Sequence, residues 1–170
     1  RGFSIMTALA PIEWKGKKIN FIDAPGRFDF VGETTQAYYL ADSALIFVNA
    51  ITGVGVGSEK AYKYCIKHNK PMAVVVNQLD KEHANFAKAF EDIKEKFGAA
   101  ATAMQIPLMN GEKLKGYIDV LKGKAYEYGD KAALNEVDIP SDLQSLFEDC
   151  REQLIENAAA NDDELMEKYF

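Results

Sequence analysis

Short apolar runs alternate along this chain with stretches in which apolar residues recur every three or four positions, the signatures of strand and helix. Ile5, Ala8, Leu9 and Ile12 mark a first strand over 3–14, and Lys15-Gly16-Lys17 supplies a polar hairpin turn into a second, Ile19 to Ile22. An antiparallel pair is expected there, closed off by Pro25 and Gly26. A short helix is predicted over 33–40, a buried strand over 44–49, and a flexible glycine-rich loop over 53–57. Ser58 is the candidate N-cap of a helix carrying Ala61, Tyr62, Cys65 and Ile66 on one face, with its stop near Asn69. A fourth strand covers 72–76, and a helix follows from about Asn85, with Phe86, Phe90, Ile93 and Phe97 on one face and Gly98 as its stop. Such alternation predicts an α/β fold, a parallel sheet covered on both faces after the first antiparallel pair. Residues 103–108 offer a further strand.

From Asn110 the texture changes. Two short strand candidates, 117–121 and 125–128, lie in charged, glycine-containing sequence that reads as a separate small unit. A strongly amphipathic helix over 141–156 places Leu143, Leu146, Phe147, Cys150, Leu154 and Ile155 on one stripe, started by Ser141 with Gln144 as a capping box. A last helix is expected from near Asn161, packed through Leu165, Met166, Tyr169 and Phe170.

Bulk properties narrow the class. At 170 residues, 48% of them hydrophobic and 27% charged, the chain is one globular domain, or one domain with a small insert. No apolar run approaches the roughly 18 residues that cross a bilayer, and no basic-then-apolar leader opens the sequence, so a cytoplasmic protein without a membrane partner is expected. Cys65 and Cys150 each lie on an apolar helical face, which points to buried thiols rather than a disulfide or a metal pair. The net charge of −6 is unevenly divided, with 13 basic against 11 acidic residues over 1–98 and 7 against 15 over 99–170. The acidic part is unsuited to nucleic-acid phosphates.

Candidate chemistry sits at two strand ends. Asp23 closes the second strand in D-A-P-G, and the carboxyl edge of an α/β sheet is where ligands bind, since helix N-termini point back at it. A carboxylate there suits a water-mediated magnesium contact, with the Gly26 amide approaching a phosphate. Alone, D-x-x-G also fits a plain polar turn. Met72 to Val76, however, ends in Asn77-Gln78-Leu79-Asp80, and polar residues at the ends of two buried strands with a helix between them mark the edges of a nucleotide site. Asn77 and Asp80 also suit the capping of the next helix.

In R-G-F-S-I at Arg1 to Ile5, D-A-P-G at Asp23 to Gly26, F-D-F at Phe28 to Phe30, G-S-E at Gly57 to Glu59, N-Q-L-D at Asn77 to Asp80, F-G-A at Phe97 to Ala99 and D-D-E-L-M-E-K-Y at Asp162 to Tyr169, the chain resembles elongation factor G, the translocating GTPase of ribosomes. The resemblance covers essentially the whole chain. It implies a P-loop-GTPase-like, mostly parallel sheet with helices on both faces, plus a small α+β insert. Residues 1–109 would be part of the GTPase domain, 110–160 the insert, and 161–170 the start of the helix returning to that domain. Asp23 would face magnesium through water, Gly26 would sense the γ-phosphate, and Asn77 and Asp80 would read guanine. The ribosome would be the partner, with the ribosomal stalk protein docking on the insert.

Two positions depart from the family pattern. Gln78 stands where lysine is usual, removing a charge and an aliphatic stem from the guanine face. Arg27 stands where a water-positioning histidine is usual, and a guanidinium donates hydrogen bonds but accepts none. Slow GTP hydrolysis is one consequence, and transition-state stabilisation by the arginine is another. No G-x-x-x-x-G-K-[ST] occurs in the 170 residues, so the first strand and phosphate loop are absent and the chain reads as an internal piece of a longer GTPase. Such a piece is expected to bind GTP or GDP negligibly, and to associate through the sheet edges that the lost strand leaves open. Alternative readings are a ribosome-protection factor and a non-hydrolysing binding module derived from a GTPase.

Overall fold

The computed structural model describes residues 2–130, 133–160 and 167. By contacts the chain divides into two units, Arg1–Val48 with Val54–Val75, and Asn49–Gly53 with Val76–Phe170.

The first unit begins with a hairpin. Strand β1, Ala8–Trp14, pairs antiparallel with β2, Lys17–Asp23, in a register that sets Trp14 opposite Lys17. Only Lys15 and Gly16 are left to turn the chain, and both have positive φ, 48° and 72°, the mirror-image turn whose twist matches two antiparallel strands. Phe3 and Ile5 precede the strand rather than joining it. A buried strand is expected to end at Asp23, yet β1 is exposed throughout and in β2 only Ile22 is even half-buried. Leu9 is 65% exposed, Trp14 58% and Phe21 45%. Apolar alternation dictates that these residues form strands; it does not supply a layer to cover them.

After a single 3-10 turn at Phe28–Phe30, helix α1 spans Val31–Leu40. Strand β3 follows at Ala44–Asn49, helix α2 at Val56–Lys67 and strand β4 at Met72–Asn77. Strands β3 and β4 pair with each other and with no other described strand. Ala44 N–H donates to Pro71 O at 3.0 Å and Ala50 N–H to Asn77 O at 2.9 Å, so the two strands run in the same sense, as expected of a β–α–β unit. Ala37 of α1, Ile46 and Val48 of β3, and Ala61 and Cys65 of α2 are buried. The Tyr38 and Tyr64 rings lie 5.0 Å apart, bringing α1 against α2. Burial raises the pKa of the Cys65 thiol, as suits an unreactive core cysteine.

Helix α2 starts differently from the expectation. Gly55 is its N-cap and Ser58 is its third residue, whose Oγ accepts the Gly55 N–H at 3.0 Å. Serine here closes the box from the inner side, because the chain turns at the glycine. The helix ends where Asn69 enters the left-handed region, with φ 50°.

The second unit holds the larger core. Helix α3, Phe86–Phe97, is capped by Asn85, whose Oδ1 accepts the Lys88 N–H at 2.9 Å, and it stops at Gly98 with φ 103°. Strand β5, Gln105–Asn110, then enters an antiparallel meander with β6 (Lys113–Asp119), β7 (Lys124–Tyr128) and β8 (Leu134–Val137), in the order β5-β6-β7-β8. The further strand anticipated near 103–108 therefore pairs with its successor in the chain, and β8, too polar to read as a strand, completes the sheet. Helix α4 spans Gln144–Ala159. Five of the six stripe residues pack as expected: Phe147 and Cys150 are buried with Phe90, Ile106, Leu108, Ile118, Val120 and Ala125, and Leu143, Leu146 and Leu154 lie against that cluster, whereas Ile155 is exposed. The capping box of Ser141 and Gln144 does not form. Leu143 holds the N-cap position without a side-chain bond, and Gln144 Nε2 donates to Glu148 Oε1 at 2.7 Å. Pro140 turns the chain later than the serine suggests, through Leu143 N–H to Pro140 O at 3.0 Å. The helix expected from Asn161 lies outside the described residues, Glu167 apart. No described helix is long and apolar enough to cross a membrane.

Candidate functional site

The predicted site residues fall into two groups, Asp23, Gly26 and Arg27 in the first unit, and Asn77, Gln78 and Asp80 in the second.

Asp23 is the last residue of β2, paired across the hairpin with Ala8. Its Oδ2 accepts a hydrogen bond from Ser4 Oγ at 2.7 Å. A second tie holds the same segment: Thr7 N–H donates to Glu33 Oε2 at 2.8 Å, and Thr7 Oγ1 to Glu33 O at 3.4 Å. These donors, the backbone N–H first, hold the Glu33 carboxyl below the usual carboxylate range. The Pro-Gly turn is clamped from α1, where Thr34 Oγ1 donates to Pro25 O at 2.6 Å and Pro25 is fully buried. Gly26 faces open space, with no described atom within 4 Å of where a Cβ would stand. Its carbonyl lies 3.7 Å from the position a Cβ would take on Gly57, so the first turn of α2 sits beside it.

Arg27 sits over the Phe3 ring, guanidinium carbon 4.1 Å from the ring centre, and its carbonyl accepts the Phe30 N–H at 3.0 Å. A cation on an aromatic face is attracted by the ring's quadrupole, by about 0.5–1 kcal/mol at an exposed site, which favours this station for the arginine head. Lys60 of α2 takes the corresponding place on Phe28, at 4.5 Å. A cleft of about 1050 Å³ opens here, lined among others by Asp23, Gly26, Arg27, Thr34 and Lys60.

In the second unit, Asn77 ends β4 and its Oδ1 accepts the Gln78 N–H at 2.9 Å. Gln78 has φ 64°, a conformation that costs a residue with a Cβ about 1 kcal/mol. Asp80 is exposed, its carboxylate 3.7 Å from the Lys81 ammonium. Asn49, at the end of β3, joins this group. Its Oδ1 accepts the N–H groups of Ile51 at 2.7 Å and Thr52 at 3.2 Å, and its Nδ2 donates to Gln78 Oε1 at 2.7 Å. Backbone bonds lace the same place together, Ala50 N–H to Asn77 O at 2.9 Å and Asn85 N–H to Ala50 O at 3.0 Å.

Sequence reasoning missed Ser4 and Asn49. Ser4 lies inside a motif read only for resemblance, while Asn49 carried a usable signal: two parallel apolar strands, A-L-I-F-V-N and M-A-V-V-V-N, end on the same residue type. Among the described residues no three or more His, Cys, Asp or Glu side chains converge as a metal cage would require. The donor set fits magnesium in its commoner protein mode, one carboxylate with water and phosphate oxygens supplying the rest.

The sequence profile described as the elongation factor Tu GTP binding domain matches residues 1–167. An elongation factor G-like protein of Thermotoga maritima is 36% identical over 171 residues, which are 100% of this chain and 24% of that protein. Elongation factor G of Ureaplasma parvum serovar 3 is 37% identical over 172 residues, 100% of this chain and 25% of its own length. A crystal structure of a protein from Thermus thermophilus aligns with a TM-score of 0.89 at 35% identity, covering 98% of this chain and 25% of that one. The chain thus spans about a quarter of the length of the relatives it matches.

Proposed function

Because this chain belongs to the family of elongation factor Tu GTP binding domains, we propose that the protein containing it is a ribosome-associated translational GTPase of the elongation factor G kind. The observation that carries the reading is the pair of strand-end loops. In the first, Asp23 receives a serine hydroxyl and is followed by an open glycine. In the second, Asn77 and Asp80 flank a strained Gln78.

Asp23 would hold magnesium through water, with Ser4 beside it. The metal would balance phosphate charge there, and Gly26, with open space where a side chain would stand, would offer its amide to the γ-phosphate. Asp80 gives the second loop its selectivity: a carboxylate accepts the two N–H donors of guanine's edge, and adenine lacks that pair. Residues from about 110 to 160 are read as the insert within the GTPase domain, offering a docking surface for the ribosomal stalk protein. The 170 residues contain no phosphate-loop motif, so in this reading the isolated chain binds guanine nucleotide negligibly and the whole protein carries the affinity.

One observation favours a second reading, a factor that binds GTP without hydrolysing it efficiently. Arg27, at the position of the expected water-positioning group, is held on Phe3 and has only donors to offer. Ribosome-stimulated GTP turnover by the whole protein decides between the two. Turnover that rises about tenfold or more in Arg27→His supports a GTPase slowed at this residue. Turnover absent in both forms, with GTP still bound, selects the non-hydrolysing reading.

A further inference from the structure

We propose that Asn49 is a positioning residue for the guanine-reading loop: it fixes the Gln78 side chain with its carbonyl turned in and its amide N–H₂ left to serve the nucleoside. The inference rests on the reading of Asn77 to Asp80 as that loop.

Two N–H donors, those of Ile51 and Thr52, converge on one atom of the Asn49 side chain, so that atom is the oxygen. The other end of the amide is then the nitrogen, a pure donor, and it reaches Gln78 at 2.7 Å. Its partner must accept, which makes it Oε1 of Gln78. The orientation of two side-chain amides, ordinarily ambiguous, is thus dictated by two peptide groups. Nε2 of Gln78 is left as the donor that a ligand's acceptor atom on base or sugar would meet.

Gln78 also needs holding. Its left-handed φ of 64° is sustained on one side by Asn77 Oδ1, which takes its N–H, and on the other by Asn49, which takes its side chain. Asn49 itself is anchored in a tight loop, Gly53 N–H donating to its carbonyl at 2.9 Å. Where the family usually places a cationic side chain, this chain has a neutral amide that a neighbouring asparagine orients.

The test compares GDP affinity, by titration with a fluorescent GDP analogue, in the whole protein and in its N49D, Q78K and N49D/Q78K variants. Asn49→Asp keeps the oxygen that Ile51 and Thr52 require but sets an acceptor against Gln78 Oε1. Affinity is expected to fall about five- to tenfold, the range of one hydrogen bond lost. In N49D/Q78K the lysine ammonium donates to the new carboxylate, and affinity is expected to return to within about twofold of the unmodified protein. A role confined to shaping the 49–53 loop would leave N49D/Q78K as weak as N49D, and that result overturns the proposal. Equal affinity in N49D and the unmodified protein overturns it too. An unmodified protein that binds no GDP overturns instead the guanine-reading premise.

Discussion

Gly116 shows how a single hydrogen can decide a strand. It sits in β6 opposite Glu127 of β7, and a Cβ added there would stand 1.9 Å from Tyr126 O and 2.9 Å from Glu127 Cα. Both obstacles are backbone, so no side chain can swing aside, and the β6–β7 ladder has to part. Gly116→Ala is expected to cost about 3 kcal/mol, measured as a shift of the urea midpoint at unchanged slope. A loss below about 1 kcal/mol would mean that the strands separate more easily than this contact allows. Glycine inside a strand hints at close approach of another backbone, and here the hint is in the sequence, but the partner is not. The same limit applies at the candidate site. Asp23, Asn77 and Asp80 announce themselves by standing after apolar runs, whereas Ser4 needs the fold to bring it 19 positions along the chain to Asp23.

Elements were legible where their stop signals are local and obscure where a signal depends on its neighbours. The helix expected from about Asn85 begins there, with Asn85 rather than Asn77 or Asp80 as its N-cap, a polar residue set just before the apolar period. Ser58 and Ser141 satisfy the same rule on paper. Glycine at 55 and proline at 140 move the turn, so one serine bonds backwards and the other does not cap. The β6–β7 turn offers a test at this scale. Asp119 Oδ1 accepts the Lys122 N–H at 3.0 Å, its Oδ2 lies 3.0 Å from the Lys122 ammonium, and its carbonyl accepts the Gly123 N–H at 2.9 Å. Burial alone would raise the Asp119 pKa, but the N–H, the ammonium and the N–H of Leu121 together outweigh it and lower the pKa. A carboxyl whose pKa is depressed by folding stabilises above its unfolded pKa, and that contribution fades as pH falls through the folded value. The turn is therefore expected to loosen below the usual carboxylate range. Amide exchange at Lys122 and Gly123 should accelerate there, and Asp119→Asn should remove the acid dependence. An unchanged pH profile in Asp119→Asn would assign the effect elsewhere.

At the scale of the whole chain, the sequence carried every described strand but β8, in order along the chain, but not what covers them. Among the described strands β2 pairs only with β1 and β3 only with β4, and the cleft of the first unit is lined by residues 18–23 of one and 44–47 of the other. Two free edges face one opening, with apolar side chains beside them: Phe21 is 45% exposed and Phe47 59%. Unpaired N–H and C=O groups on apolar strands are a template for a further strand, and proteins usually blunt such edges with charge, bulges or cover. Neither edge carries those devices over Ile19 to Ile22 or Ala44 to Val48, apart from the lysines that open β2. The isolated chain is therefore expected to self-associate, with one copy's edge entering the opening of another. Sedimentation velocity over a concentration series should show mass rising above the monomer, and Phe21→Lys with Phe47→Lys should return it toward the monomer by placing charge where the strands would meet. Binding of a hydrophobic dye should fall in parallel. A sharp monomer at every concentration would sink this expectation. Association that persists in the double variant would move the contact to the exposed β1–β2 hairpin, where Leu9 and Trp14 offer the remaining apolar surface.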